Sequence, residues 1–131
     1  MITSKRQTGN LGEEIAVQFL VKKGFKIIER NYNKPWGEID IIAEKGNIVR
    51  FVEVKSVSRE IKEGVTREID YRPEELVNAR KLRKLARTAA LYMESKRDKR
   101  EFQIDAIGVI MDESKRIARC RFFEQALEDN L

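Results

Sequence analysis

Gly37-Glu38-Ile39-Asp40 is followed, thirteen positions after Asp40, by Glu53-Val54-Lys55. Both pieces sit in stretches that alternate as β-strands do, where residues two apart share a face. Glu38 is therefore expected to project with Asp40, and Glu53 with Lys55. Gly46-Asn47 lies between them, and such a pair between apolar runs signals a two-residue hairpin turn. With those residues at the turn, partners across the hairpin have numbers summing to 93, so Asp40 should face Glu53 and Glu38 should face Lys55. Paired positions hold their Cβ atoms about 4.5–5.5 Å apart. Two carboxylates that close repel by about 4 kcal/mol at an effective dielectric near 20. A hard divalent cation turns this repulsion into binding, since Mg²⁺ takes oxygen ligands, usually one or two carboxylates plus substrate phosphate. The alternative is a salt-bridge cluster on the sheet surface, although like charges directly opposite one another are unfavourable without a third party. For Glu38, pairing with Lys55 is explanation enough.

The rest of the composition narrows the chemistry. The chain has no histidine and one cysteine, Cys120, which excludes Ser-His-Asp and Cys-His catalysis and His- or Cys-rich zinc sites. Catalysis must then come from carboxylates, lysine, tyrosine or a hard metal. Cys120, in an alternating stretch, is expected to be a packed thiol. At 131 residues the chain has the size of one domain. Its net charge of +5 and pI near 9.4 suggest an anionic partner such as nucleic acid, with solubility as the plainer explanation. No stretch resembles a signal peptide or a membrane span, so the cytoplasm is the expected location.

The elements that must position these residues follow from periodicity. A helix is expected from Asn10, with Glu13 closing a capping box, Leu11, Ile15, Phe19 and Leu20 as the apolar stripe, and Gly24 as the stop. Strands are expected over 25–31, 38–43 and 48–57. Residues 58–72 read as a long polar loop. Pro73 suits the first turn of a second helix over 74–94, buried through Leu82, Leu85, Ala86, Ala89 and Met93. Arg80, Arg83, Lys84 and Arg87 recur at i, i+3, i+4 and i+7, a basic stripe that reads either as a phosphate-binding face or as a solvated one. Two further strands are expected over 102–110 and 116–122. The order α-β-β-β-α-β-β makes an α/β fold, a mixed sheet flanked by helices. Trp36 and Tyr32 could stack on a base, with packing favoured.

Asp40 and Glu53-Val54-Lys55 on neighbouring strands, after a helix with an early Glu, resemble the PD-(D/E)XK nuclease superfamily. Gly9-Asn10-Leu11-Gly12-Glu13, Arg30-Asn31-Tyr32, Gly37-Glu38-Ile39-Asp40 and Phe51-Val52-Glu53-Val54-Lys55 resemble more narrowly the YraN-type uncharacterised family of predicted endonucleases. Lys81, Ala89, Tyr92 and Ile104-Asp105-Ala106-Ile107 extend the match over nearly the whole chain. The resemblance implies a restriction-endonuclease-like α-β-β-β-α-β core, similar to archaeal Holliday-junction resolvases. It implies Mg²⁺ held by Asp40 and Glu53, Lys55 at the attacking water, and Glu13 nearby. The chain departs from its relatives at Val57, where they tend to carry Arg, and at Gln103-Ile104, where Arg-Phe is usual.

The Val54 carbonyl, between the two motif side chains, is a further candidate ligand. Lys55 would position the nucleophile or stabilise developing charge, and would act as base if its pKa fell far enough. The expected function is a Mg²⁺-dependent endonuclease, with Mn²⁺ able to substitute, acting on DNA that is branched or otherwise distorted. The rivals are a nucleic-acid-binding module of the same fold that cleaves little, and a protein-interaction subunit. A homodimer is expected by analogy with junction resolvases.

Overall fold

The computed structural model describes residues 5–62 and 78–127. The chain order is α1 (Lys5–Lys22), β1 (Lys26–Lys34), β2 (Gly37–Lys45), β3 (Ile48–Ser58), α2 (Ala79–Ser95), β4 (Phe102–Asp112) and β5 (Ile117–Phe123). The strands form one mixed sheet in sequential order. β1–β2, β2–β3 and β4–β5 are antiparallel, and β3–β4 is parallel. This is the α-β-β-β-α-β core with one added strand.

α1 covers one face of the sheet. Ala16, Leu20 and Phe25 pack there on Ile41, Ala43, Val52, Ile107, Val109 and Met111. Its end is set by Gly24, at φ 92°. The amides of Gly24 and Phe25 donate to the carbonyls of Val21 and Leu20, the paired closing bonds of a Schellman motif. The helix starts earlier than Asn10, so Glu13 lies well inside it and the expected capping box does not form. α2 covers the other face, burying Leu82, Leu85, Ala89, Tyr92 and Met93 over Ile42, Val49, Phe51 and Ile104. The Asn78 side chain caps it, accepting from the Lys81 amide. The expected start at Pro73 lies outside the described residues.

The hairpin register is the expected one. Gly46 and Asn47 have φ of 61° and 64°, and positive values at both turn positions belong to the type I′ turn that suits strand twist. Lys45 pairs with Ile48, and pairing continues to Ile41 with Val52. Cys120 is half-buried, and burial raises its thiol pKa, consistent with a packed side chain. Among the described residues no helix is long and apolar enough to cross a membrane.

The two departures from the YraN-type pattern have structural roles. Val57 packs against Ile61 and Ile110. Gln103 Nε2 donates to Asp105 Oδ1 at 2.8 Å, helping to hold a fully buried carboxylate that also pairs with Arg50.

Candidate active site

The β2–β3 ladder stops where the acidic residues begin. Its next hydrogen-bonded pair would join Ile39 to Val54, since such pairs recur every second residue. Instead the Val54 amide donates to Asp40 Oδ2 at 2.8 Å. The cause lies in the strand itself. Ile39 joins the core under α2 and Ile41 the core under α1, although residues two apart on a regular strand share a face. Opposite this break, between the pairs Arg30–Ile41 and Tyr32–Ile39, stands Asn31 at φ 53°. Asparagine tolerates that left-handed conformation better than most residues. The break turns the Asp40 carboxylate sideways toward β3. The expected pairing of Asp40 with Glu53 and of Glu38 with Lys55 along the ladder is therefore not made.

The acidic residues still meet. Glu38, Asp40 and Glu53 line one cleft of about 360 Å³ with Lys34, Lys81 and Lys84. Asp40 also borders a second cleft, of about 790 Å³, on the α1 side with Glu13, Lys55, Arg6 and Asn10. Asp40 is thus shared by the two hollows, with Glu53 and α2 on one side and Glu13 and Lys55 on the other.

The charges around it are unevenly compensated. Lys81 Nζ lies 2.8 Å from Glu53 Oε1, and this bond raises the lysine pKa. Arg30 Nε lies 3.5 Å from Glu13 Oε1, while its Nη1 bonds Glu14 at 2.9 Å. Glu13 Oε1 is buried and accepts no hydrogen bond. Among the described residues no cation pairs directly with Asp40. Its pKa is pushed up to about 7, first by burial and next by the Glu53 carboxylate. Glu13 adds to the rise, and the Val54 amide and Lys81 oppose it.

Of the residues expected at the site, Glu38, Asp40 and Glu53 line one cleft and Glu13, Asp40, Val54 and Lys55 line the other. Of the basic stripe, Arg80, Arg83, Lys84 and Arg87 are all exposed on α2, and only Lys84 reaches the cleft wall. Lys81 and Arg30 were missed as members of the site. Lys81, Lys84, Leu85 and Thr88 stand at i, i+3, i+4 and i+7 and form one ridge over the acidic cleft. The expected stripe of Arg80, Arg83, Lys84 and Arg87 lies one residue around the helix from this ridge. Tyr32 is core, its ring edge-to-face with Tyr92 at 5.2 Å, whereas Trp36 is exposed.

The sequence signature described as "Uncharacterised protein family UPF0102" matches residues 12–109, three-quarters of the chain, including Glu13, Glu38, Asp40, Glu53, Lys55 and Lys81. The chain belongs to this family. It is the YraN family, a family of predicted nucleases in the restriction-endonuclease-like superfamily. Among its similar proteins, a UPF0102 protein of Dictyoglomus thermophilum is 36% identical over 87% of this chain and 91% of its own. One of Syntrophomonas wolfei is 39% identical over 84% and 90%, and one of Dictyoglomus turgidum 33% identical over 94% and 98%. Among solved structures, Pyrococcus furiosus SfsA in complex with Ca²⁺ is similar at a TM-score of 0.39 and 22% identity. The match covers 97% of this chain and 66% of that one.

Proposed function

We propose that this UPF0102 protein is a Mg²⁺-dependent endonuclease that hydrolyses phosphodiester bonds in DNA. The observation that carries the reading is the Asp40 carboxylate, half-buried beside Glu53 with no cation of its own among the described residues. The donor set fits a hard divalent ion. It is all oxygen, it leaves Glu13 Oε1 buried without a hydrogen bond, and its like charges raise the energy of the ion-free state. Among the described residues no three His, Cys, Asp or Glu side chains form a ready ligand cluster. Two carboxylates rather than a cage is how Mg²⁺ is usually bound.

Asp40 and Glu53 would hold the ion, with the Val54 carbonyl, which leaves the strand on the same flank as the amide bonded to Asp40. When bound, Mg²⁺ supplies Lewis acidity toward the phosphate and acidifies a water molecule. The Val54 amide fixes one Asp40 oxygen, leaving the other free to coordinate. Lys55, on the wall of the larger cleft, orients the attacking water and offsets charge developing on the phosphate. Glu13 bears on the site through its charge, standing behind Asp40.

The exposed basic face of α2, adjoining the acidic cleft through Lys84, suits the backbone of a nucleic acid. Each phosphate contact contributes about −0.9 to the log–log salt slope on duplex DNA, so four contacts give roughly −3.6. Replacing Arg80, Arg83, Lys84 and Arg87 together by Ala should flatten the slope by about that amount, measured by fluorescence anisotropy across a salt series. An unchanged slope would make the stripe a solvated face.

The test of the activity is incubation with junction, flap, single-stranded and duplex DNA, with Mg²⁺ or Mn²⁺ and with chelator. Metal-dependent cleavage that disappears in Asp40→Ala supports the endonuclease. Salt-sensitive binding without cleavage, unaffected by Asp40→Ala, supports a binding module of the same fold. The Lys81–Glu53 ion pair, which already neutralises one ligand, is the feature that favours that second reading.

A further inference from the structure

Lys81 Nζ sits 2.8 Å from the very carboxylate, Glu53, that the proposed metal would use. We propose that Lys81 is the exchangeable counter-ion of the metal-free site. A divalent cation displaces its ammonium from Glu53, and the freed ammonium moves onto the phosphate of the nucleic acid. This rests on the metal site proposed above and adds a coupling between metal and substrate that the site alone does not require.

Three observations single out Lys81. Its side chain is 63% exposed and that of Glu53 13%, so the lysine is the partner free to leave. Arg30, the cation paired with Glu13, is divided between Glu13 and Glu14, and its side chain is only 35% exposed. A guanidinium shared by two carboxylates is held in place, whereas an ammonium on a flexible stem is a movable point charge. Finally, Lys34 and Lys84 line the same cleft, so once a cation occupies its carboxylates a displaced Lys81 joins two other ammonium groups that an incoming anion can bridge. Phosphate entering the cleft draws Lys81 away from Glu53 and vacates a ligand. By reciprocity, metal on Glu53 makes Lys81 available to phosphate.

The test reads Mn²⁺ binding directly, by electron paramagnetic resonance of the unbound ion in low salt. It compares the parent protein, Lys81→Met and Lys81→Arg, with and without a cleavage-resistant phosphorothioate oligonucleotide, corrected for Mn²⁺ held by the oligonucleotide alone. Removing an ion pair of this exposure should tighten Mn²⁺ binding by roughly threefold to fivefold. The oligonucleotide should tighten Mn²⁺ binding to the parent and to Lys81→Arg by a larger factor than to Lys81→Met, where only the direct contact of phosphate with metal remains. A merely structural ion pair would lower the melting temperature on removal without tightening Mn²⁺. Should Lys81→Met melt before the titration can be made, Lys81→Gln is expected to give the same result. Equal or weaker Mn²⁺ binding in the neutral variants, with the parent binding Mn²⁺, overturns the exchange and leaves the metal site standing. Mn²⁺ binding to none of the proteins overturns the metal site and this inference with it.

Discussion

Asp40→Asn is expected to melt several degrees above the parent protein in chelator and to lose metal-dependent cleavage by about 10³-fold or more. Both effects come from one carboxylate. Burial and the Glu53 charge hold the Asp40 pKa at about 7, against 3.8 for the ordinary group. The folded state therefore binds this proton more tightly than the unfolded chain does. The stabilisation from protonation is complete below pH 3.8 and is lost as pH rises through 7. At pH 8 the folded protein carries the full penalty of an ionised, half-buried Asp40. Asparagine keeps an acceptor for the Val54 amide and removes the charge. With the proton shared between coupled carboxylates, the relief is about 2 kcal/mol, roughly 6–10 °C for a chain of this size. Melting curves from pH 5 to 8 check the sign. The variant's advantage should be largest at pH 8, be smaller at pH 5, vanish only as the pH falls below about 3.8, and shrink at pH 8 when Mg²⁺ is added to the parent. An Asn variant that melts lower at pH 8 would mean that the carboxylate is satisfied without an ion.

The pairing of a stability gain with a functional loss separates a metal site from the salt-bridge cluster that the sequence also allowed. In a balanced cluster, removing one charge leaves its partner exposed to an uncompensated neighbour and lowers stability. Here, among the described residues, Glu53 has Lys81, Glu13 has Arg30, and Asp40 has no cation of its own. Among the described residues nothing neutralises that charge directly, which is the condition a bound cation would relieve. Active sites are where such shifted carboxylates concentrate.

The sequence carried the hairpin register because Gly46-Asn47 admits essentially one turn, and one turn fixes every pair after it. It carried the faces of α2 for a similar reason, since Leu82, Leu85, Ala89 and Met93 repeat at helical spacing. What it did not reveal is that pairing stops at Ile41 and Val52. Alternation is an average property of strands, and a one-residue break such as that between Ile39 and Ile41 leaves no gap in the hydrophobic pattern. Asn31 was the available sign, being a residue suited to positive φ in the strand opposite. Spacing alone gave Glu13 to a capping box, because a Glu three residues after an Asn reads well at a helix start, and only the family resemblance put it near the site. Only the extra turns before Asn10 remove that explanation. Arg30 had no local signal, because it acts through carboxylates distant in the chain, whereas Lys81 shares the helical spacing of Lys84, Leu85 and Thr88.

Gly12→Ala is expected to cost about 2–3 kcal/mol and to lower the melting temperature by roughly 6–12 °C. α1 rests on β3 at this glycine. A Cβ there would stand 2.5 Å from Ser56 Cβ and closer still to its hydroxyl, so rotating the serine cannot clear it and the helix must lift. The lift opposes a helix-propensity gain of up to about 1 kcal/mol, which the clash outweighs. It also moves Glu13, the next residue, away from Asp40, so the variant should lose activity even at temperatures where it is folded. Ser56→Gly supplies the missing space, and the double variant should recover most of the lost stability. Gly9→Ala is the matching control. That glycine lies in the same helix with nothing within 4 Å of an added Cβ, so only the propensity term acts and its melting temperature should rise. If thermal melts show the two alanine variants falling together, the close approach of α1 to Ser56 is not what seats the helix, and the placement of Glu13 beside Asp40 needs another cause.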